Sequence, residues 1–325
     1  MTSTVSVASA ASGPAAWHWE KRGLLIAEPA GSDWARSHAA LPIVDPVGGS
    51  RVRVYVSARD GGGRAQIGYC DCDLDSPGNG SGFSAQPVLG TGELGTFDDS
   101  GVTSSCIVTH QGRKFLYYTG WTRGVTVPFY LFVGLAVSDD GGESFRRVSR
   151  APILERNDVD PLLTASPYVL VENGRWRMWY VSGASWRTWN GEPRHDYHIR
   201  YAESVDGMTW DRRGTVCIDF EHPDEHAIAR PCVIRDGDTY RMWYSWRGAQ
   251  YRIGYAESSD GITWTRMDDR AGISVSATGW DSEMVEYPFV FTHRGRLMML
   301  YNGNGYGKSG CGLAVHAARP AVARV

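Results

Sequence analysis

The chain has 325 residues, with 33 Lys and Arg against 36 Asp and Glu interspersed to a net charge of −3. No basic stripe therefore marks a nucleic-acid surface, and no apolar run reaches the roughly 18 residues that a membrane-crossing helix needs. A hydrophobic content of 42% with 39 glycines, 13 tryptophans and 16 tyrosines points instead to an all-β protein with many tight turns.

Residues 1–16 (MTSTVSVASAASGPAA) are rich in Ala, Ser and Thr and carry no Lys or Arg. They lack the charged and apolar regions of a secretory signal and read as a disordered tail, with 319–325 as a short tail at the other end. The cysteines Cys70, Cys72, Cys106, Cys217, Cys232 and Cys311 make no CxxC pair and no metal-ligand spacing. Scattered thiols suit a reducing cytoplasm. No cofactor is implied, and a divalent ion in a central channel has no ligand spacing to support it.

From residue 42 onward the chain repeats one pattern. The first strands start at Pro42, Ser105, Pro167, Pro231 and Pro288, and each anchor lies thirteen residues before a second-strand tyrosine: Tyr55, Tyr118, Tyr180, Tyr244 and Tyr301. Third strands follow as IGYC, VGLAVS, IRYAES, IGYAES and CGLAVH. Fourth strands follow the turns SDDGGESF, SVDGMTW and SSDGITW, which resemble the Asp-box loops of sialidase-type propellers and are expected to serve as tight turns. A fixed period with a fixed internal offset marks a repeat architecture. Five repeats of four short antiparallel strands predict a five-bladed β-propeller. The last repeat stops after its third strand, and WHWEKRG (17–23) reads like the fourth-strand segments WDRRG and WTRMD. The N-terminal strand is thus expected to complete the last blade and close one domain over residues 17–318, covering strand edges that would otherwise be exposed.

In such a ring the chemistry belongs to the loops before the first strands and after the second strands, which share one face. Seven residues before the anchors stand Asp98, Asp160, Asp224 and Asp281, with Ala35 in the first repeat. A recurring aspartate reads as a structural turn acid. Symmetry is broken by His38, by Asp99, by Glu225 and His226 with Arg230, and by Glu283 and Glu286. Two residues before the anchors the sequence reads Ala40, Thr103, Ala165, Ala229 and then Glu286. Four small side chains and one carboxylate at one height predict a cavity holding a single acid. Burial would raise its pKa unless Arg230 or His226 paired with it. Arg59, Arg123, Arg247, Asn302 and Asn304 end second strands on the same face, and arginines there would clamp an anionic or polyhydroxylated ligand. The longest post-strand loop, SGASWRTWNGEPRHDYH in the third repeat, offers Trp186 and His195 as a sugar-stacking wall. Trp179, Trp243, Trp210 and Trp264 recur at equivalent positions and read as packing residues.

The recurring RMWYSxxxxxxRIGYAESxDGxxWxR pattern resembles the five-bladed propellers of the glycoside hydrolase superfamily that includes arabinanases, β-xylosidases and invertase-like enzymes (families 43 and 32). It is most like their uncharacterised bacterial members found near glycan or natural-product biosynthesis genes. The resemblance implies a base Asp beside the first anchor proline, a second Asp in blade two and an acid Glu in blade three. This sequence has Ala40-Leu41-Pro42 and Ala165-Ser166-Pro167 at two of those places, leaving Asp98 or Asp99 as the one match and Ser166 as a substrate contact.

The expectation is an enzyme acting on a glycosidic or related bond of a small sugar-containing molecule by general acid–base chemistry. Glu286 supplies one carboxylate and Glu283, Glu225 or Asp99 the other; His38 or His226 assists and Arg230 orients. Two other readings stay open. One is an isomerase, lyase or cyclase of specialised metabolism in the same pocket, favoured by the missing triad. The other is a propeller that binds a glycan without chemistry.

Overall fold

The computed structural model describes residues 16–29, 31–76 and 82–317. The expected tails lie outside these residues apart from Ala16, as does the expected domain end at residue 318. The described chain is nearly all β. Strand β1 (Trp19–Ile26) comes first, followed by antiparallel meanders. In the first, β2 (Ser37–Gly48), β3 (Arg51–Arg59) and β4 (Ala65–Asp73) pair in order. The second contains β5 (Gly101–His110), β6 (Arg113–Arg123), β7 (Phe129–Ser138) and the two-residue β8 (Arg146–Arg147). The third contains β9 (Thr164–Glu172), β10 (Arg175–Trp189), β11 (Glu192–Ser204) and β12 (Asp211–Ile218). The fourth contains β13 (Ala227–Asp236), β14 (Thr239–Arg247), β15 (Tyr251–Ser258) and β16 (Thr265–Arg266). Last come β17 (Glu286–His293), β18 (Arg296–Asn302) and β19 (Cys311–His316), and β1 pairs on β19 to give the order β1-β19-β18-β17.

Two details differ from the sequence reading. Among the described residues the first meander has no fourth strand, only a bridge between Ile67 and Leu89; Pro87 beside it has no N–H to extend a ladder. The described residues also include a 3-10 turn, Asp268–Arg270, and a short turn, Asn304–Gly307, in which Gly305 and Tyr306 have positive φ.

Neighbouring meanders are joined by an aromatic contact that recurs. A second-strand ring meets the aromatic before the next meander's fourth strand: Tyr55 with Phe145 at 5.8 Å, Tyr117 with Trp210 at 6.1 Å, and Trp179 with Trp264 at 6.3 Å. Trp19 of β1 takes the same place against Trp243 at 5.7 Å. The Asp-box-like turns serve these joints. Tyr55, Tyr117 and Trp179 donate to the carbonyls of Gly142, Gly207 and Gly261 at 2.8–2.9 Å. Inside each turn Asp140, Asp206 or Asp260 accepts successive backbone amides.

Two residues after each of those fourth-strand aromatics stands a cation that binds a buried acid. Arg147 binds Asp98 at 2.7 Å, Arg212 binds Asp160 at 3.0 Å, Arg266 binds Glu225 at 2.8 Å and Lys21 binds Asp281 at 2.7 Å. Three of these acids also accept from the second-strand tyrosine, Tyr118, Tyr180 or Tyr301, at 2.9–3.0 Å. The recurring acid is therefore structural, as expected. In the fourth meander, however, it is Glu225 and not Asp224, because that lead-in loop places its acid one residue later.

The inner strands share a further device. The pairing register shifts at the anchor in β2, β5, β9, β13 and β17. The residue before each anchor proline is left-handed: Leu41 at φ 54°, Ser166 at 45°, Arg230 at 57° and Tyr287 at 55°. Proline excludes the right-handed helical region for its predecessor, and a left-handed non-glycine residue costs roughly 1–2 kcal/mol. A side chain ending the preceding second strand holds most of these bends. Asn302 Oδ1 accepts from the Leu41 amide at 2.7 Å, Thr119 from Ser166 at 2.8 Å and Ser245 from Tyr287 at 2.7 Å. Ser57 likewise accepts from the Ser104 amide at 2.9 Å.

Lys21→Met is expected to lower stability by about 2–3 kcal/mol, because it leaves the buried Asp281 carboxylate short of its cation. Burial pushes the Asp281 carboxyl up, but Lys21, Ser276 and Tyr301 together hold it below its ordinary value. The stabilisation is thus present at neutral pH and fades as pH falls below about 4. Urea unfolding of both proteins at pH 7 and pH 3 checks this, and an equal loss at the two pH values would contradict it.

Candidate functional site

The inner strands converge on a cavity of about 380 Å³. Its floor comes from the anchor-adjacent residues: Leu41, Thr103, Ala165, Ser166, Ala229 and Tyr287. Second- and third-strand ends supply the walls, with Arg59, Thr119, Trp121 and Val181 on one side and Phe129, Leu131 and Tyr197 on another. A smaller recess of about 100 Å³ shares Leu41, Arg59, Thr103, Trp121 and Tyr287 with it, and adds His38, Ala40 and Tyr306. The small residues two before the anchors thus line this space, one per inner strand.

The fifth residue of that set is Glu286. It is fully buried, and neither carboxyl oxygen has a hydrogen-bond partner among the described residues. It lies behind Tyr197 and Tyr287, which line the cavity and are both influenced by its charge. Burial holds its pKa well above the ordinary carboxylate value, against the opposing charge of Arg247 and the nearby Tyr287 hydroxyl, which stands close enough to favour the charged form without completing a hydrogen bond. Burial thus favours the protonated, neutral form of Glu286.

Tyrosines surround it. Tyr197 and Tyr251 share a hydrogen bond of 2.7 Å between hydroxyls. The Tyr251 ring lies 5.8 Å from Tyr287 and edge-on to Tyr306 at 6.2 Å. The Arg247 guanidinium sits 5.4 Å from the Tyr251 ring centre and 5.6 Å from that of Tyr306, and its Nε is buried without an acceptor among the described residues. Burial pushes the Tyr197 hydroxyl up to about 12 and raises Tyr251 and Tyr287 further. All three remain protonated donors.

The predicted pairing of Glu286 with Arg230 or His226 is not found. Arg230, fully buried, aims its guanidinium at the backbone carbonyls of Ser104, Ser105, Pro42 and Leu41 at 2.8–3.3 Å. Its preceding second strand offers Val181, which cannot accept from an amide, so this side chain ties the inner strands together from the opposite direction. His226 is buried, its Nδ1 3.4 Å from the Asp224 carbonyl, and burial lowers its pKa.

The other predicted carboxylates are engaged or distant. Glu225 is clamped by two Arg266 nitrogens at 2.8 and 2.9 Å and accepts from the Glu221 amide; it is a scaffold acid and not a free catalytic one. Asp99 accepts from the Gly95 amide and the Ser100 hydroxyl, both at 2.9 Å. Glu283 is exposed. Asn302 and Asn304, predicted as ligand contacts, do structural work. Asn302 is fully buried on Leu41, Ala39 and Gly310, and Asn304 organises the backbone at Glu283, Met284 and Gly279. Arg123 reaches the Gly62 carbonyl at 3.1 Å on the rim.

The long third-repeat segment is a hairpin and not a loop. Strands β10 and β11 stay paired out to Trp189 and Glu192, turning through Asn190 and Gly191, both at positive φ, as an Asn-Gly hairpin requires. This dipeptide was the unread signal. The hairpin carries Trp186 edge-on to the cavity residue Phe129 at 5.5 Å. It also stacks His195 on Tyr197 at 4.6 Å and 3°. Burial, and then His226 and Arg247, lower the His195 pKa to about 4, so it is neutral. The tyrosines Tyr197, Tyr251, Tyr287 and Tyr306 were missed because each sits in an alternating strand or Gly-rich turn where an aromatic reads as packing. Among the described residues no group of three or more His, Cys, Asp or Glu is placed to hold a metal ion.

No protein-family model matches the chain. The uncharacterized Mycobacterium tuberculosis protein Rv1502 is 44% identical over 297 residues, spanning 91% of this chain and 98% of its own length, and MT1551 from a second strain gives the same values. Among solved structures, a glycoside hydrolase superposes with a TM-score of 0.71 at 19% identity, covering 95% of this chain and 94% of its own. A structure from the GH130 family of mannoside phosphorylases, which contains glycoside hydrolases targeting β-1,2 mannosidic linkages, gives 0.68 at 16%, with 94% and 95% covered. The endo-arabinase of Bacteroides thetaiotaomicron gives 0.65 at 14%, with 92% and 99% covered. At such identities the likeness establishes the fold, that of the propeller glycoside hydrolases.

The variant Glu286→Gln should gain stability relative to wild type as pH rises from 4 to 8. Below the unfolded-state pKa both states hold the proton. Above it the unfolded chain ionises while the buried carboxyl does not, and folding of the wild type becomes less favourable. Thermal melts across that range test this, and a pH-independent difference would show that Glu286 titrates normally.

Proposed function

The chain belongs to the family of the Mycobacterium tuberculosis protein Rv1502, and from that footing we propose that it is a carbohydrate-active enzyme whose central cavity binds a small sugar-containing molecule. Glu286 supplies the proton, passed by way of the Tyr287 or Tyr197 hydroxyl at the cavity lining, that reaches the leaving oxygen as a glycosidic or related bond breaks. The observation that carries this reading is the one fully buried acid with unsatisfied oxygens, set behind the cavity wall in a ring of tyrosines. A proton donor of this kind contributes about 10²–10⁴-fold to rate. The cavity's aromatic walls, Trp121, Phe129 and Tyr287, suit the C–H faces of a sugar ring.

We read the meanders as five blades of one ring in a single domain over residues 17–318. In support, the inner strands touch in a cycle, β2 with β5, β5 with β9, β9 with β13, β13 with β17 and β17 with β2. Trp19 and Lys21 take the fourth-strand positions of the last blade. The six cysteines are buried free thiols, which favours a reducing cytoplasm. No helix among the described residues is long and apolar enough to cross a membrane.

Hydrolysis by two flanking carboxylates finds little support, because Asp98, Asp160, Glu225 and Asp281 are all bound to cations. That observation favours a second reading: transfer, elimination or isomerisation with Glu286 as the one acid and a neutral histidine, His38 or His195, as the base. Turnover in ¹⁸O-labelled water separates the readings, since label enters the product only on hydrolysis. Under either, Glu286→Gln is expected to cut kcat by about 10²-fold or more while circular dichroism stays native-like and the variant melts no lower than wild type. Ligand binding with no turnover in either protein would instead indicate a sugar-binding propeller.

A further inference from the structure

One corner of the cavity holds positive groups without a counter-ion. Arg59, at the end of β3, lines both the main cavity and the smaller recess. His38 lines the recess beside it, held in a left-handed conformation at φ 66°. Lys308, exposed just after the turn that follows β18, acts on the same imidazole: burial, then Arg59, then Lys308 lower the His38 pKa to about 4. No acid pairs with Arg59, Lys308 or Arg123 among the described residues. Their neighbours differ, since Arg64 is tied to Asp60 and Arg36 to Asp33, and Asp60 is further occupied by the Gly62 and Arg64 amides. In a chain with three more acids than bases, cations left together at a concave wall make a local positive potential that attracts anions. His38 Nδ1 lies 2.9 Å from the Ser37 hydroxyl. When that hydroxyl donates to Nδ1, Nε2 carries the proton and is the free donor.

We propose that this corner is a subsite for an anionic group carried on the sugar, a phosphate or a carboxylate, held by the Arg59 fork with His38 Nε2 donating beside it. The proposal rests on reading the central cavity as the sugar site, and makes the substrate an anionic sugar with its ring toward Trp121 and Tyr287. Arginine suits this role because its planar fork matches both oxyanions by paired hydrogen bonds. An anion there also favours imidazolium, so the His38 pKa should rise from about 4 when the subsite fills.

The test titrates the full chain with inorganic phosphate, with D-glucuronate and with neutral methyl α-glucoside, following the His38 ring by NMR and affinity by calorimetry. At least one anion is expected to bind saturably and to raise the His38 pKa, and whichever binds tighter identifies phosphate or carboxylate. Arg59→Ala should weaken that binding about tenfold or more, and the exposed Lys308→Ala in the same direction by less. Arg296→Ala, in a separate recess with His293 and Arg294, should leave it unchanged. The proposal is overturned if neither anion binds saturably, or if Arg59→Ala binds it as tightly as wild type. Failure here leaves the role of Glu286 standing, because that role is read from turnover and not from anion binding.

Discussion

The cavity depends on one backbone bend repeated around the inner strands, a left-handed non-glycine residue immediately before a proline. Each bend is unfavourable alone and is held by a side chain from the preceding meander: Asn302 for Leu41, Thr119 for Ser166, Ser245 for Tyr287. The residue that faces the ligand space is therefore positioned by its neighbour and not by its own strand. Strain of this sort persists only where surrounding structure over-determines it. Asn302 matters most in this scheme, since its amide also donates to Ala39 and Gly310 and joins the end of the chain to its beginning. Arg230 is the exception that keeps the scheme whole. Lacking an acceptor for its amide, its meander sends a guanidinium across to four carbonyls of the first two inner strands. Burial lowers that group to about 10, so it stays charged while the carbonyls take the place of water.

Much of the scaffold could be read from residues at fixed offsets. The thirteen-residue interval between anchor and tyrosine, the turn aspartates and the likeness of WHWEKRG to the fourth-strand segments all correspond to contacts seen in the structure. So does the row of small residues ending in Glu286, because a period counts strand positions and equivalent strand positions stand at one height along the inner strands. Offsets failed where a loop changed length. Glu225 stands out in sequence as one candidate for the second carboxylate because the seven-residue offset from Pro231 falls on Asp224, while the fold delivers Arg266 to Glu225, the next residue. Partners failed for another reason. Arg230 is adjacent to a channel residue in sequence, but the left-handed bend turns its side chain away from Glu286 and toward other strands. The tyrosine cluster draws on β11, β15, β17 and the turn after β18, and no single window of sequence brings those together.

The electrostatics divide the acids into two kinds. Asp98, Asp160, Glu225 and Asp281 each have a cation and belong to the frame. Glu286 has none within hydrogen-bonding distance, and burial raises its pKa. The same chain thus contains scaffold carboxylates and one poised acid, distinguished by whether a fourth-strand cation arrives two residues after an aromatic. No fourth strand supplies one at the height of Glu286, because that height belongs to the channel and not to the lead-in loops.

A neutral buried acid gives up its proton readily only if the carboxylate it becomes is then stabilised. Arg247 fits that role on the proposed reading. Its charge already acts on Glu286, its Nε lacks an acceptor, and the rings of Tyr251 and Tyr306 hold the guanidinium near without pairing it. In the resting state Arg247 acts on Glu286 through its charge without forming an ion pair, and burial favours the protonated carboxyl. Once the proton leaves, the carboxylate and the guanidinium attract each other, and a movement that brings the two side chains together forms the ion pair. A fully formed Glu286–Arg247 bridge in the resting protein would depress the pKa and remove the proton that the chemistry requires. The incomplete contact is thus the arrangement that a single-acid mechanism calls for.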